Sequence, residues 1–263
     1  MCINKELEKY KVFLHEIKKI KDLEEFAPKL KELYLRSFPF SDPLFSILST
    51  VLSNNYNNLY NATMKIGRHT LELFAWMKVY EKLITEEDKI ALLAIEIEDA
   101  LTLTTNSIYS FKEKMIYAVV ITASVYQELI GEKTKLSINE RTRIDYRKLK
   151  KYFCHIDNIK KLKEKIDTLE KCLQEKPLYF RWKSVHRITP GVEKYHGQYY
   201  TLEIADEHMS ISYVPGDMIK LQEIKPNMKE VYSTCLDLFY EFEDYCVNYL
   251  KVKERVTSED QKI

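Results

Sequence analysis

The chain has 263 residues, with 41 Lys+Arg against 40 Asp+Glu for a formal net charge of +1, and it is 45% hydrophobic and 31% charged. That balance argues against a disordered or membrane-embedded chain. Only 5 residues are Gly and 7 are Pro, against averages of about 7% and about 5%. These residues make turns and break helices, so their scarcity argues against sandwiches, barrels and glycine-fingerprinted nucleotide folds. The length suits one large domain or two small ones.

Apolar residues then recur at helical spacing along most of the sequence. Leu7, Tyr10, Leu14 and Ile17 predict a first helix bounded by Pro28. The turn-like cluster Phe38-Pro39-Phe40-Ser41-Asp42-Pro43 offers Asp42 as an N-cap and Pro43 at the first helical position. A long pattern follows, from Leu44, Ile47, Leu48 and Val51 through Leu59, Ile66 and His69 to Trp76, Tyr80 and Leu83. Thr85 then reads as a cap, with Glu86, Glu87 and Asp88 in the first turn, where the helix dipole favours anions. From Ile90 and Leu93 through Leu101, Ile108, Phe111 and Val119 to Leu129 the steps are three or four without a miss, and Gly131 is placed as a C-cap. About forty such residues would span roughly 60 Å, so a break is expected near Asn106-Ser107.

Two later helices are read from Ile159, Leu162, Ile166, Leu169 and Leu173, and from Val231, Cys235, Leu238, Phe242, Tyr245 and Tyr249 entered through Pro226. Between Tyr195 and Pro215 the period changes to two. Tyr200, Leu202 and Ile204 alternate with polar neighbours, as do Met209, Ile211 and Tyr213, across the connection Ala205-Asp206-Glu207-His208. This predicts a β-hairpin. The expected fold is mainly α: one domain over 1–263, an up-and-down helical bundle with a small β-hairpin insertion, about 195–217, before the last helix.

Lys5, Glu6, Glu8 and Lys9 occupy the stretch where an export signal would have to become apolar. The uncharged run Met115–Gln127 is shorter than the roughly 20 residues a membrane span needs, and offers either a core face or an interface. Five cysteines lack CxxC spacing, and Cys154-His155 has no second ligand pair. Reduced thiols in a cytoplasmic protein, without cofactor or metal, are therefore expected.

Charge is uneven. Arg141, Arg143, Arg147, Lys148, Lys150, Lys151, Lys160, Lys161, Lys163 and Lys165 face only Asp145, Asp157 and Glu164 in the same stretch, a local net charge of +7. With Tyr146, Tyr152 and Phe153 interleaved, this block has the makings of a phosphate-backbone footprint or of a solvated helix face. Arg147, Lys150 and Lys151 are the candidate substrate-binding residues within it. Asn54, Asn55, Asn57, Asn58 and Asn61 read more simply as an exposed helix face than as a base-reading surface.

The segment Pro177-Leu178-Tyr179-Phe180-Arg181-Trp182-Lys183-Ser184-Val185-His186-Arg187 carries the one chemical motif. A guanidinium offers a fixed fork to a phosphate or a pentacoordinate transition state. An imidazole exchanges protons near neutral pH. No metal is needed when RNA supplies its own 2′-hydroxyl as nucleophile. His155 and His196 are further histidines, read as surface or satisfied side chains.

An Arg-x4-His element followed by Arg in a long-helix chain resembles the signature of the HEPN superfamily. The resemblance implies a helical core, a homodimer that joins two copies of the motif, and metal-independent RNA cleavage leaving a 2′,3′-cyclic phosphate, in prokaryotic defence or toxin–antitoxin-type systems. It gives Arg181 the phosphate charge and His186 the acid/base role, with Lys183, Trp182 and Arg187 beside the substrate and an antitoxin or other protein as a further partner. Trp182 departs from the polar residue, often Asn, found after the Arg in catalytic members. Its single N–H donor cannot orient an imidazole as an amide does. A non-catalytic RNA- or protein-binding module of the same fold therefore stays open as the alternative.

Overall fold

The computed structural model describes residues 2–22, 37–40, 43–132, 144–153, 156–174 and 221–250, and the backbone of 191–192, 198–205, 208–215 and 218–219. The protein is an all-α bundle in its described side-chain-bearing part. Its helices are α1 (Cys2–Asp22), α2 (Ser46–Lys82), α3 (Glu86–Leu92), α4 (Glu98–Leu129), α5 (Tyr146–Tyr152), α6 (Asp157–Gln174) and α7 (Leu221–Asp244). Pro43–Phe45 forms a 3-10 turn ahead of α2, and π-helical turns occupy Leu93–Ile97 and Tyr245–Tyr249. The residues group into two compact units, one of 1–30, 66–107 and 171–232, the other of 31–65, 108–170 and 233–263.

In the first unit, α1 lays Phe13 against Trp76 of α2 with ring centroids 4.1 Å apart, and the edge of Tyr10 meets Trp76 at 5.6 Å. Leu73, Ala75, Val79, Leu93, Ile97 and Leu101 are buried here, joined by Ile224, Met228 and Val231 of α7. Two positions of the stripe expected on α1 face outward: Tyr10 and Leu14 are 50% and 55% exposed, whereas Glu16 is 6% exposed. That carboxylate tolerates burial because Lys82 Nζ donates to Glu16 Oε1 at 2.6 Å, with Lys19 Nζ at 3.7 Å.

Thr85 caps α3 as read from the sequence, its Oγ1 accepting the backbone N–H of Asp88 at 3.2 Å. The expected interruption near Asn106-Ser107 is displaced: α4 runs unbroken through those residues, and the irregularity is the π turn at Leu93–Ile97. One extra residue in that turn shifts the helical phase, so the neighbours Leu92 and Leu93 are both buried while Ile90 is 40% exposed.

In the second unit, Phe38, Tyr56 and Phe239 form a chain of rings, Phe38 to Tyr56 at 5.2 Å and Tyr56 to Phe239 at 4.9 Å. The backbone N–H of Phe38 donates to Ser53 Oγ at 3.1 Å, which anchors the segment before α2. Leu48 is buried and its neighbour Ile47 is 63% exposed, so Ile47 lies outside the stripe expected on α2. Met115, Ile116, Ala118, Val119, Val120 and Ala123 of α4 are all buried within the chain, so most of one side of the uncharged run is core, while Tyr117 is 47% exposed. Helix α4 ends in a Schellman turn. Gly131, at φ +77°, donates to Glu128 O at 3.2 Å, and Glu132 N–H donates to Gln127 O at 2.9 Å. Glycine reaches this left-handed conformation without a Cβ penalty.

Helix α6 buries Ile159, Leu162, Ile166, Leu169 and Leu173, the stripe its sequence predicts. Burial of such a side chain contributes about 2 kcal/mol, so this face, rather than the charged one, fixes the helix. Helix α7 starts at Leu221, so that Pro226 lies inside it rather than at its entry. The hairpin expected at about 195–217 is a finer reading than these helices carry. There the description extends only to a backbone pairing of Gln198–Ala205 with His208–Pro215, and no side chain is included.

Candidate nucleic-acid interface

Helix α5 begins with Asp145, whose carboxylate accepts the backbone N–H of Lys148 at 3.0 Å. Leu149 and the adjoining Phe153 are buried, anchoring the short helix on one side. On a second side, Tyr146 donates its hydroxyl hydrogen to Asp167 of α6. Lys163 Nζ reaches the other carboxylate oxygen at 2.6 Å and lies 6.0 Å from the Tyr146 ring centroid. Burial alone would push the Asp167 carboxyl up; hydrogen bonds from Lys163 and Tyr146, with the Lys150 charge nearby, outweigh it and hold it below the ordinary range. Burial first, then the Asp167 hydrogen bond, pushes the Tyr146 hydroxyl up, and the bond to Asp167 holds Lys163 up as well. The cluster is thus a buttress that keeps Asp167 and Lys163 charged and Tyr146 protonated.

Arg147, Lys150 and Lys151 are exposed, as are Lys160 and Lys161 of α6. Lys151 Nζ lies 3.0 Å from the Tyr152 hydroxyl and 4.7 Å from its ring centroid. Two other lysines of the block are engaged with groups of α6 and α7. Lys163 holds Asp167, and Lys165 pairs with Glu241 of α7 at 2.9 Å while reaching the Asp237 carbonyl at 3.5 Å. The count of +7 therefore overstates what solvent meets. Asp167 and Glu241 lie outside the stretch counted; the i,i+4 spacing of Lys163 and Asp167 signals the first pair, whereas only the packing of α6 on α7 brings Lys165 to Glu241.

Of the sequence-derived site residues, the fold places Arg147, Lys150 and Lys151 together on α5. Arg181, Trp182, Lys183, His186 and Arg187, with His155 and His196, lie outside the described residues. Among the asparagines, Asn54, Asn58 and Asn61 are exposed along one side of α2, while Asn55 is buried. No group of three or more His, Cys, Asp or Glu able to hold a metal occurs among the described residues. Cys235 and Cys246 are buried and in no disulfide, and burial, aided by the Glu243 charge, pushes the Cys246 thiol well above its ordinary value.

The first unit holds a separate groove of about 380 Å³, lined by Glu8, Lys9, Val12, Val79, Lys82, Leu83 and Asp88. Its walls are mostly apolar, and its charged groups answer one another: Lys9 lies 3.5 Å from Asp88, and Lys82 is held by Glu16. Among the described residues no helix is long and apolar enough to cross a membrane. Comparison with protein families, curated proteins and solved structures finds no match to this chain.

Proposed function

We propose that this chain is a HEPN-like, metal-independent endoribonuclease of a prokaryotic defence or toxin–antitoxin-type system, acting in the cytoplasm as a homodimer. The observation that carries the reading is the spacing of Arg181 and His186, followed at once by Arg187, in a chain built mainly of long helices. In the proposed reaction His186 takes the proton of an RNA 2′-hydroxyl, whose oxygen attacks the adjacent phosphorus. The bond to the 5′-oxygen breaks, that oxygen takes the proton back from the His186 imidazolium, and a 2′,3′-cyclic phosphate remains. Arg181 neutralises the charge gathered on the phosphoryl oxygens. The hairpin insertion at about 195–217 and an antitoxin or other protein partner belong to the same proposal.

Trp182 supports a second reading, a non-catalytic helical module that binds RNA or a protein. An indole lacks the acceptor and the second donor of an amide, though it stacks well on a base. Incubating the purified protein with structured RNA in EDTA separates the two. Cleavage by the wild type and none by His186→Ala supports the nuclease; equal cleavage by both, or none by either, overturns it.

A further inference from the structure

We propose that Arg147, Lys150, Lys151 and Lys160 form one surface that takes the phosphate backbone of an RNA strand, and that Lys163 and Lys165 take no part in it. The choice of polymer rests on the RNA reading above; the choice of residues rests on the packing of α5 and α6.

Leu149 and Phe153 turn one side of α5 into the core, and Tyr146 and Lys150, one turn apart, lie on the side of Asp167. The side left to solvent carries Arg147, Lys150 and Lys151, all exposed. On α6, position 160 stands one turn before 163. Lys163 contacts Tyr146 and Asp167, so exposed Lys160 joins the same edge from the second helix. Seven residues of α5 cover about 10 Å of axis, so its three cations are close enough to meet successive phosphates of one strand.

Several acids close by are engaged with other groups: Asp167 holds Lys163 and Tyr146, Glu241 holds Lys165, Glu170 pairs with Lys112, and Asp145 caps the α5 backbone. An acidic polypeptide would meet the same ammonium groups. Phosphate suits this set better, because the Arg147 guanidinium can grip two phosphoryl oxygens at once and a regularly charged backbone can follow a row of cations. Neutralising a cation that contacts phosphate lowers affinity and also flattens its salt dependence, since fewer counterions are released. A cation that only braces the fold changes neither.

The test uses full-length His186→Ala protein in EDTA, so that binding is read without cleavage, with a fluorescent 20-nucleotide single-stranded RNA titrated across a salt series. Each phosphate contact contributes about −0.7 to the slope of log affinity on log salt, so four contacts give roughly −3. The Arg147→Gln/Lys150→Gln/Lys151→Gln/Lys160→Gln variant is expected to flatten most of that slope and weaken binding at least tenfold at low salt. Lys165→Gln should leave the slope unchanged while lowering the melting temperature. Circular dichroism establishes that the quadruple variant keeps its helices. An unchanged slope in a folded quadruple variant overturns the proposal, as does a flattened slope in Lys165→Gln. So does preference for polyglutamate over RNA at equal salt. The nuclease reading fails separately, when the wild type binds with this slope but cleaves nothing.

Discussion

His69 Nδ1 of α2 lies 2.8 Å from Ser107 Oγ of α4, and the Ser107 hydroxyl donates in turn to the Leu103 carbonyl at 2.9 Å. A serine hydroxyl has one hydrogen. With that hydrogen on Leu103, Ser107 can only accept, so His69 is the donor through Nδ1. Neutral His69 is therefore the Nδ1–H tautomer, with Nε2 bare. Nitrogen-15 NMR of the imidazole should show Nδ1 protonated, and Ser107→Ala should release the ring toward the Nε2–H form. Wild-type protein with its proton on Nε2 would contradict this hydrogen-bond assignment.

The Glu16–Lys82 pair makes stability depend on acid. The Lys82 hydrogen bond, opposed by burial and assisted by the Lys82, Lys19 and His15 charges, holds the Glu16 carboxyl below its ordinary value of 4.5. A depressed carboxyl contributes stability above its unfolded pKa and loses it as pH falls through the folded one. Glu16→Gln should therefore cost about 1 kcal/mol at pH 7, on the scale of a half-exposed ion pair. The difference should vanish once both states are protonated, near pH 2. Urea melts of both proteins at the two pH values measure it, and a constant difference would remove the ionic contribution.

Thr85 is a separate and local support. Its Oγ1 accepts from the Asp88 backbone and donates to the Asp88 carboxylate at 2.7 Å. Thr85→Ala should destabilise by about 1 kcal/mol, and Thr85→Asn, another good cap, by only a few tenths. Equal losses in the two variants would mean that the capping oxygen is not what matters.

Phe239 tests the aromatic core of the second unit. Its ring is fully buried and lies 4.9 Å from Tyr56. Phe239→Ala should cost about 3–5 kcal/mol through lost transfer energy and the cavity left behind. Ile47→Ala on the exposed side of α2 should stay within about 0.5 kcal/mol. Denaturant midpoints compare them directly, and similar losses would overturn the burial assignment.

Periodicity made α6 legible because its five apolar positions have no competing face: every residue between them is polar or charged apart from Cys172. It also located the cap at Thr85 and the stop at Gly131, where one residue type has one structural use. It failed where two answers fit the same letters. Steps of three or four absorb an extra residue unnoticed, so 90, 93 and 97 looked continuous across a π turn. On α1, Tyr10 and Leu14 fit a buried stripe, but Phe13 offered the better ring for stacking on Trp76. The basic block was readable as charge; its division into bracing and exposed lysines was not, since Glu241 stands 76 positions beyond Lys165. The Arg181–His186 motif was legible as chemistry alone, because spacing says nothing of which groups it meets.

The π turn at Leu93–Ile97 makes this stretch tolerant of a shorter chain. Such a turn is an α-helix holding one residue more than its hydrogen bonds can accommodate, as a single-codon insertion would produce. A variant with one residue removed between 93 and 97 should therefore carry an unbroken helix from Glu86 to Leu129.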